Sequence, residues 1–351
     1  MKFIAFYLPQ FHSIPENDKW WGAGFTEWFN TKKAIPMFDG HYQPRTPCNN
    51  NYYNLLDVKT LKFQADLANK HEIYGFCIYH YWFNGRKLLE KPAEILLNAK
   101  DIDAKYCFSW ANEPWSRAWD GKDSEVLIPQ KYGGEDEWRQ HFDYLLPFFQ
   151  DERYIRIDNK PVFVIYRTNN IPNVEEMLIY WDKLSQKNGI NGLCIIETLN
   201  SFQNKPILNK SEGAIEFEPM YTLRQKSSFF FNLKRYFNKR MGRLDIVDYD
   251  SLWARILKRK INANGKRRFL GAFVDWDNTA RKGKNGLIVR GATPEKFGRY
   301  LKNQSNKSVE EYIFVNAWNE WAEGAYLEPD KKYNLAYLQQ VKKVGGNLDG
   351  G

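Results

Sequence analysis

The sequence predicts a (β/α)8 barrel, also called a TIM barrel, with long and aromatic-rich loops after its strands. Eight short runs rich in β-branched and aromatic residues recur along the 351-residue chain, and helix-like segments fill most of the intervals. Such alternation is typical of a parallel sheet, and eight strand–helix units in one chain indicate that the sheet closes into a barrel. A doubly wound sheet is the alternative, but no Gly-rich phosphate loop follows the first strand.

The predicted elements cover nearly the whole chain. The strands are Lys2–Leu8, Ile73–Tyr79, Lys105–Trp110, Pro161–Tyr166, Gly192–Glu197, Gly213–Glu218, Arg268–Val274 and Tyr312–Ala317. Apolar residues at near-helical spacing predict helices at Leu55–Lys70, Glu135–Phe149 and Val174–Lys187. We expect a single domain at residues 1–345, with a basic insertion at about 224–268 between strands 6 and 7 and a disordered tail at 346–351.

The composition is that of a globular chain. Hydrophobic residues make up 43% and charged residues 26% of it, the mean hydropathy is −0.64, and no apolar run approaches the roughly 18 residues that a membrane span needs. The segment Met1–Pro9 is too short and too aromatic for a signal peptide, so we expect a cytoplasmic protein. The four cysteines lack metal-type spacing and are predicted to be free thiols.

The strand ends indicate where function lies, because a barrel builds its site at the C-terminal ends of its strands. Seven of the eight predicted ends carry His, Glu, Asp, Asn or Trp, and the chain is 17% aromatic. Aromatic rings stack on the C–H faces of sugars while polar side chains bind the hydroxyl groups. The pattern therefore predicts a carbohydrate site.

The catalytic groups are predicted to be two carboxyl groups, because glycoside cleavage commonly uses one protonated and one ionised carboxyl. Glu320 and Glu323 are three residues apart, so a helical turn would point both to one face with Cβ atoms about 5–6 Å apart. Each then shifts the pKa of the other, which favours one acid and one base near neutral pH. Glu113 follows strand 3, whereas retaining barrel glycosidases commonly use strands 4 and 7, so we assign it to substrate binding.

The remaining candidates are expected to contact the substrate. The predicted substrate-binding residues are Tyr7, His12, Glu27, Trp28, His41, Tyr79, His80, Trp110, Asn112, Glu113, Arg117, Trp119, Asp275, Asp277, Asn278, Arg281, Trp318, Asn319 and Trp321. Because the histidines are scattered and no Cys or His cluster has ligand spacing, we expect no metal and no cofactor.

Long motifs along the chain are shared with one known family. They are Trp20–Trp28, Gly40–Pro44, Tyr79–Phe83, Trp110–Trp115 with Arg117–Gly121, and Trp318–Gly324. From Lys2 to about Tyr337 the chain resembles the WbsX-type proteins. These are relatives of glycoside hydrolase family 99 that occur in bacterial surface-polysaccharide gene clusters.

The resemblance implies a (β/α)8 barrel and chemistry on α-glycosides, since the characterised family 99 enzymes act on α-mannosides. It also implies that the Asn-Glu-Trp-x-Glu-Gly motif supplies both catalytic carboxylates. Carried over, Glu320 would be the base that deprotonates the substrate's own 2-hydroxyl, which gives an anhydro-sugar intermediate with retention. Glu323 would be the acid that protonates the leaving oxygen.

Two other functions stay open at this stage. WbsX-type proteins are often called glycosyltransferases, here of O-antigen or capsular polysaccharide biosynthesis. Asp275-Trp-Asp277 has the D-x-D form that nucleotide-sugar transferases use to hold a metal. The third possibility is a glycan-binding protein without turnover. The leading prediction is a hydrolase, or a transglycosylase with the same machinery.

The basic charge is concentrated at residues 224–268, which hold 14 Lys and Arg against three Asp, whereas the whole chain has a net charge of +9. Apolar residues recur at three- and four-residue steps from Phe230 to Leu244, and such a basic amphipathic helix can lie on an anionic membrane. The predicted partners are thus an oligo- or polysaccharide, including a lipid-linked one, and the inner face of the membrane. Packing on the barrel and a groove for an acidic polysaccharide are the alternatives. Nucleic acid is not expected, because no recognised binding module accompanies the charge.

Overall fold

The computed structural model describes residues 1–117, 122–225, 244–261 and 265–346, and eight of its strands form a closed parallel barrel. They are β1 (Lys2–Tyr7), β2 (Ile73–Phe83), β3 (Tyr106–Trp110), β4 (Lys160–Ile165), β5 (Cys194–Leu199), β6 (Gly213–Glu216), β7 (Arg267–Phe273) and β8 (Tyr312–Asn316). Consecutive barrel strands are neighbours, and β1 closes the barrel by pairing with both β2 and β8. The predicted (β/α)8 fold is confirmed.

All eight predicted strands are observed. Five agree with the predicted bounds to within one residue at each end, whereas β2, β5 and β6 differ by two residues or more, and β6 ends at Glu216 rather than Glu218. β2 continues beyond Tyr79 because its last residues pair with the short strand Arg86–Leu88. β5 begins at Cys194 rather than Gly192, since Gly192 has a φ of 75°, outside the range of a strand. Glu197 consequently lies within β5 and not at its end.

Helices surround the barrel and lie in its loops. They are Pro15–Trp21, Glu27–Lys33, Val58–Lys70, Lys91–Asn98, Glu135–Phe149, Val174–Lys187, Met220–Arg224, Tyr249–Lys258, Thr279–Lys282, Pro294–Lys307 and Ala336–Gly345. Short 3-10 turns lie at Cys48–Asn50, Thr168–Asn170, Gly283–Asn285 and Trp321–Glu323. Further short strand pairs are Trp115–Arg117 with Lys122–Ile128, Arg156–Ile157 with β4, Asp245–Asp248 with Leu287–Arg290, and Asn319–Glu320 with Ala325–Tyr326.

The first long helix shows how local sequence sets these elements. We predicted it from Leu55, but it begins after Asp57, whose side chain accepts a hydrogen bond from Lys59 N at 3.0 Å and caps the N-terminus. Leu61 and Ala65, four residues apart, are buried on its barrel-facing side. The other two predicted helices are observed with the predicted bounds.

The barrel interior is filled by large side chains. Phe6 on β1 packs against Phe217 and Phe314, with ring centroids 4.9 and 5.9 Å apart. A core filled in this way leaves the C-terminal ends of the strands as the place for a cleft. All four cysteines are free thiols, as predicted.

The basic insertion packs on the barrel where it is described. Its strand Asp245–Asp248 pairs with Leu287–Arg290, and its helix Tyr249–Lys258 buries Trp253 and Ile256. Most of the predicted amphipathic segment lies at 226–243, outside the described residues, as do 262–264 and the tail from 347. In the ranges that are described, no helix combines the length and apolar character needed to cross a membrane. The single-domain bounds stay a prediction.

Candidate active site

A cleft of about 600 Å³ opens at the C-terminal face of the barrel, and each of the eight strands contributes to it at its end or from the loop that follows. Aromatic side chains on its wall include Trp20, Trp21, Tyr79, Tyr81, Trp115 and Tyr166. Polar ones include Glu113, Arg167, Asn278, Lys282, Glu320 and Glu323. Convergent ionisable and aromatic groups at this face mark the position where barrels bind their substrates.

The two predicted catalytic carboxyl groups line this cleft from the segment after β8. Glu320 ends a two-residue strand paired with Ala325–Tyr326, and Glu323 ends the 3-10 turn Trp321–Glu323. Gly324 then turns the chain with a φ of 67°, and a Cβ added there would lie only 3.1 Å from neighbouring atoms. This single turn gives both carboxyl groups access to one cleft.

One arginine connects the two carboxyl groups to a third. Arg281, on the helix Thr279–Lys282 after β7, donates from Nη2 to Glu320 Oε2 at 3.0 Å and from Nη1 to Glu323 Oε1. Its Nε and Nη2 also donate to Glu27 Oε1, at 3.0 and 2.7 Å. Glu27 follows β1 and is 254 residues away in the sequence. The barrel thus brings three carboxyl groups around one guanidinium.

Burial and mutual repulsion favour protons on this cluster. Burial raises the pKa of Glu320 to about 8, the charge of Glu323 adds to the rise, and Arg281 opposes it. Burial also raises the pKa of Glu27 to about 7, again against Arg281. Near neutral pH burial therefore favours a proton on Glu320, beside the second carboxyl group of the cleft, and a raised pKa of this kind suits general acid–base catalysis.

The aromatic and amide side chains of the same segment are buried behind it. Asn319 Nδ2 donates to Leu8 O at 3.0 Å, and its Oδ1 accepts from Leu8 N at 2.7 Å. The indole N–H of Trp321 donates to Glu328 Oε2 at 2.7 Å, and Trp318 is fully buried. The structure thus places these three predicted substrate-binding residues behind the cleft, where they fix the position of the segment that carries Glu320 and Glu323.

The D-x-D pair is held by the loop before the first 3-10 turn. Asp275 accepts from Arg45 Nη2 at 2.8 Å, and Asp277 Oδ2 lies 2.7 Å from His41 Nε2. Both aspartates are buried, and the backbone N–H of Asp277 donates to Glu323 O at 2.7 Å. These groups support the turn Trp321–Glu323 from outside the cleft. Within the described ranges, no group of three or more His, Cys, Asp or Glu could hold a metal ion.

Glu113 faces the cleft from the loop after β3. Its carboxylate accepts from Arg167 Nη1 at 2.7 Å, and the guanidinium carbon of Arg167 lies 3.6 Å from the ring centre of Phe202. Asn112 is buried beside it and binds the backbone N–H and C=O of Arg167 at 2.8 and 2.9 Å. Burial raises the pKa of Glu113, although Arg167 opposes the rise. The cleft therefore has a further carboxyl group beside a cation and an aromatic surface.

Several predicted residues lie apart from the cleft. His80 Nε2 is 2.8 Å from His141 Nε2, and the ring of Trp110 is 4.7 Å from that of His141, between the barrel and the helix Glu135–Phe149. Burial lowers the pKa of His80 to about 3, so this imidazole is neutral at physiological pH.

The predicted residues beside β1 are also buried. Tyr7 donates to Gln64 Oε1 at 2.7 Å, and Trp28 Nε1 donates to Tyr53 O at 2.9 Å. Burial lowers the pKa of His12 to about 4. Arg117 lies on the short strand Trp115–Arg117, and the predicted Trp119 lies outside the described residues.

Some cleft residues are missing from the predicted set. Trp20 and Trp115, whose rings meet edge to face at 6.1 Å, belong to the motifs that carry the family resemblance. Tyr166 and Arg167 follow β4 directly, so the rule that polar strand ends form the site would have found them. Phe202 lies in the loop after β5, and no sequence pattern distinguishes it from an ordinary surface aromatic residue.

Comparison with known proteins assigns the chain to a family. A family model described as Glycosyltransferase WbsX matches residues 3–341. The chain belongs to the WbsX family. Relatives described as Uncharacterized protein WxcX, from two strains of Xanthomonas campestris pv. campestris, are 32% identical over 347 residues. The match covers 97% of this chain and 49% of theirs, so this WbsX protein spans about half the length of those relatives.

Solved structures share the fold at low sequence identity. A GH99 endo-alpha-mannosidase from Bacteroides thetaiotaomicron matches with a TM-score of 0.58 and 15% identity, over 97% of this chain and 96% of that chain. A protein described as Glycoside hydrolase-like protein matches with a TM-score of 0.62 and 14% identity, over 98% and 93%. This WbsX family member therefore has a glycoside hydrolase-like barrel.

Proposed function

We propose that the protein is a carbohydrate-active enzyme of bacterial surface-polysaccharide metabolism that cleaves, or transfers by cleavage, an α-glycosidic bond. The observation that carries the proposal is the pair of carboxyl groups, Glu320 and Glu323, bridged by Arg281 on the wall of one aromatic cleft. Membership of the WbsX family and a barrel like those of GH99 proteins support it.

The proposed chemistry divides acid and base work between the two groups. The leaving oxygen of the bound sugar hydrogen-bonds to Glu323. This contact favours transfer of the proton from Glu320 to Glu323. Glu320 is then an ionised carboxylate of high proton affinity, because its burial raises its pKa, and it removes the proton of the substrate's 2-hydroxyl. The 2-oxygen attacks the anomeric carbon as the glycosidic bond breaks, and water or a second sugar opens the anhydro ring with overall retention.

The substrate we propose is an oligosaccharide with an α-mannosidic linkage, cleaved in endo fashion. Half-buried aromatic side chains such as Trp20, Tyr81 and Trp115 offer ring faces for several sugar units, and the cleft extends from them to Phe202 on the far side. The neighbours from Bacteroides thetaiotaomicron that are described as endo-alpha-mannosidases support this choice of linkage.

The experiment is mass spectrometry of the products after incubation with the polysaccharide of the source organism, with and without added nucleotide sugars. We expect shorter glycan fragments from the wild-type protein without any nucleotide sugar. Products that appear only with a nucleotide sugar would contradict hydrolysis. Binding without any product, unchanged in Glu323→Gln, would leave a glycan-binding protein.

A glycosyltransferase is the second candidate, favoured by the description of the family itself. The buried D-x-D aspartates argue against it, since Arg45 and His41 occupy the carboxylates that such an enzyme would need for a metal. A requirement for a divalent ion together with a nucleotide sugar would favour this candidate.

We further propose a cytoplasmic location at the inner face of the membrane, where the basic insertion meets anionic lipid and the glycan is lipid-linked. The local excess of Lys and Arg supports this, whereas the buried face of the helix Tyr249–Lys258 supports plain packing on the barrel. Co-sedimentation with anionic but not neutral vesicles, lost in a Lys234→Glu/Arg235→Glu double variant, is the expected result. Absence of binding at low salt would contradict it.

A further inference from the structure

Glu27 occupies a position that differs from that of the other two carboxyl groups on Arg281. Its side chain is fully buried, whereas Glu320 and Glu323 line the cleft. Two guanidinium nitrogens, Nε and Nη2, donate to its Oε1, and the same guanidinium also donates to Glu320 and Glu323. Glu27 therefore binds the guanidinium of Arg281 from a buried position, while the same guanidinium binds the two carboxyl groups that line the cleft.

The second oxygen of Glu27 has an unusual environment. Oε2 is buried and has no hydrogen-bond partner among the described residues. Burying a carboxylate with an unsatisfied oxygen is unfavourable. If the only role of this position were to pack the helix Glu27–Lys33, an apolar residue would be more stabilising. Above its pKa of about 7 Glu27 is mostly ionised, and its negative charge then acts on its neighbours.

We propose that Glu27 is a positioning residue that holds Arg281 against Glu320 and Glu323 and sets, by its charge, how readily that pair releases a proton. The proposal rests on the proposed glycosidase function. It replaces the direct sugar contact that the sequence suggested for Glu27 and Arg281.

The sign of the effect follows from the charges around the pair. The positive charge of Arg281 lowers the pKa of Glu320, and the negative charges of Glu323 and Glu27 raise it. Other ionisable groups that face the cluster are Tyr79 and Tyr81 on β2, Tyr166 after β4, Glu113, Lys33 and Lys282. Burial raises the pKa of the three tyrosines, so they are neutral near pH 7. A neutral amide at position 27 removes a negative charge that offsets the positive charge of Arg281. The pKa of Glu320 is then lower, and Glu320 loses its proton at lower pH.

The test compares pH profiles of kcat/KM for wild type, Glu27→Gln and Glu27→Asp. In Glu27→Gln the basic limb is expected to move about one pH unit towards acid, because the amide can still accept from Arg281 but carries no charge. Glu27→Asp keeps the charge and is expected to keep the wild-type limb even where kcat falls. Glu216→Gln is the matched control: it removes another buried, arginine-bound carboxylate, 2.6 Å from Arg259, and should leave the limb in place.

A titration of ¹³C-labelled glutamate carboxyl groups by NMR, with Glu320→Gln for assignment, reads the same shift without turnover. A folded Glu27→Gln whose profile and Glu320 titration match those of wild type would overturn the positioning role. If Glu27→Gln does not fold, Glu27→Asp decides, since a displaced Glu320 titration in that variant overturns the proposal and an unchanged one supports it. Lack of glycan turnover by wild type, with the NMR shift present, would contradict the proposed function alone.

Discussion

Arg259 and Arg281 are largely shielded from solvent and each hold more than one glutamate, but only the cluster at Arg281 opens into the cleft. Arg259 donates to Glu216 Oε2 at 2.6 Å and to Glu218 Oε1 at 2.8 Å, and Thr222 supplies further donors to Glu218. This cluster on the flank of β6 holds two carboxyl groups on one guanidinium, and the buried oxygens of both carboxyl groups have partners or solvent contact among the described residues. It has the character of a structural ion cluster.

The cluster at Arg281 is built differently. Three carboxyl groups share one guanidinium, one buried oxygen of Glu27 lacks a partner among the described residues, and two of the carboxyl groups face a cleft. Excess negative charge is costly for folding and useful for proton transfer. Arg259 also lines a pocket, of about 820 Å³, but neither of its carboxyl groups does. The difference indicates that carboxyl groups facing the cleft, beside a third carboxyl with an unsatisfied buried oxygen, mark the candidate site more than the mere presence of buried ion pairs.

The largest expected effect is on turnover. Glu320→Gln and Glu323→Gln should each lower kcat by about 10²–10⁴-fold, because each removes one acid–base role, while circular dichroism shows an intact fold. Glu216→Gln in the other cluster should change kcat by less than about threefold. Comparable losses in all three variants would remove the distinction between the clusters.

A smaller effect is expected from replacing the arginines by lysine. Arg281→Lys keeps the charge but cannot reach three carboxyl groups, so kcat should fall by about 10–100-fold with little change in the melting temperature. Arg259→Lys should do the reverse and lower the melting temperature while kcat stays near that of wild type. Steady-state kinetics and thermal unfolding on both variants check this, and an unchanged kcat in Arg281→Lys would contradict it.

The pH dependence of stability separates the clusters further. The folded-state pKa of Glu320 is raised from about 4.5 to about 8, so its contribution to stability is full below the unfolded pKa and is lost as the pH rises towards 8. Glu320→Gln removes this loss and should exceed wild type by about 1–2 kcal/mol in unfolding free energy at pH 8, with no gain near pH 4. Glu216→Gln should be less stable than wild type, by about 1–3 kcal/mol. Denaturant unfolding at both pH values measures this, and a Glu320→Gln variant less stable than wild type at pH 8 would contradict it.

No effect is expected from chelation. The proposed chemistry needs only the carboxyl pair, so full activity should persist in excess EDTA. A loss of activity that a divalent ion restores would revive the transferase candidate.

The fold was predictable because its signals are local. Runs such as Tyr312–Ala317 combine β-branched and aromatic residues, and the intervening segments have helical spacing, so all eight strands were found. The strand ends then located the cleft, and Glu320, Glu323, Glu113, Tyr79 and Asn278 line it.

The side-chain contacts that could not be predicted from the sequence depend on packing between distant segments. Nothing local shows that Arg281 contacts Glu27, or that Arg45 and His41 bind the D-x-D aspartates. Trp318 and Trp321 resemble sugar-stacking residues in the sequence, yet both side chains are buried. Composition suggests which residue types form a site, whereas the direction of each side chain is set by the barrel around it.

The most direct test of the catalytic pair is the kcat/KM of Glu323→Gln on two α-mannosides, one with a natural sugar leaving group and one with an activated aryl leaving group. If Glu323 protonates the leaving oxygen, activity should fall by more than about 10²-fold on the natural substrate and stay within about tenfold of wild type on the aryl glycoside. Equal losses on both substrates would contradict the assignment and make Glu113 the next candidate for the acid.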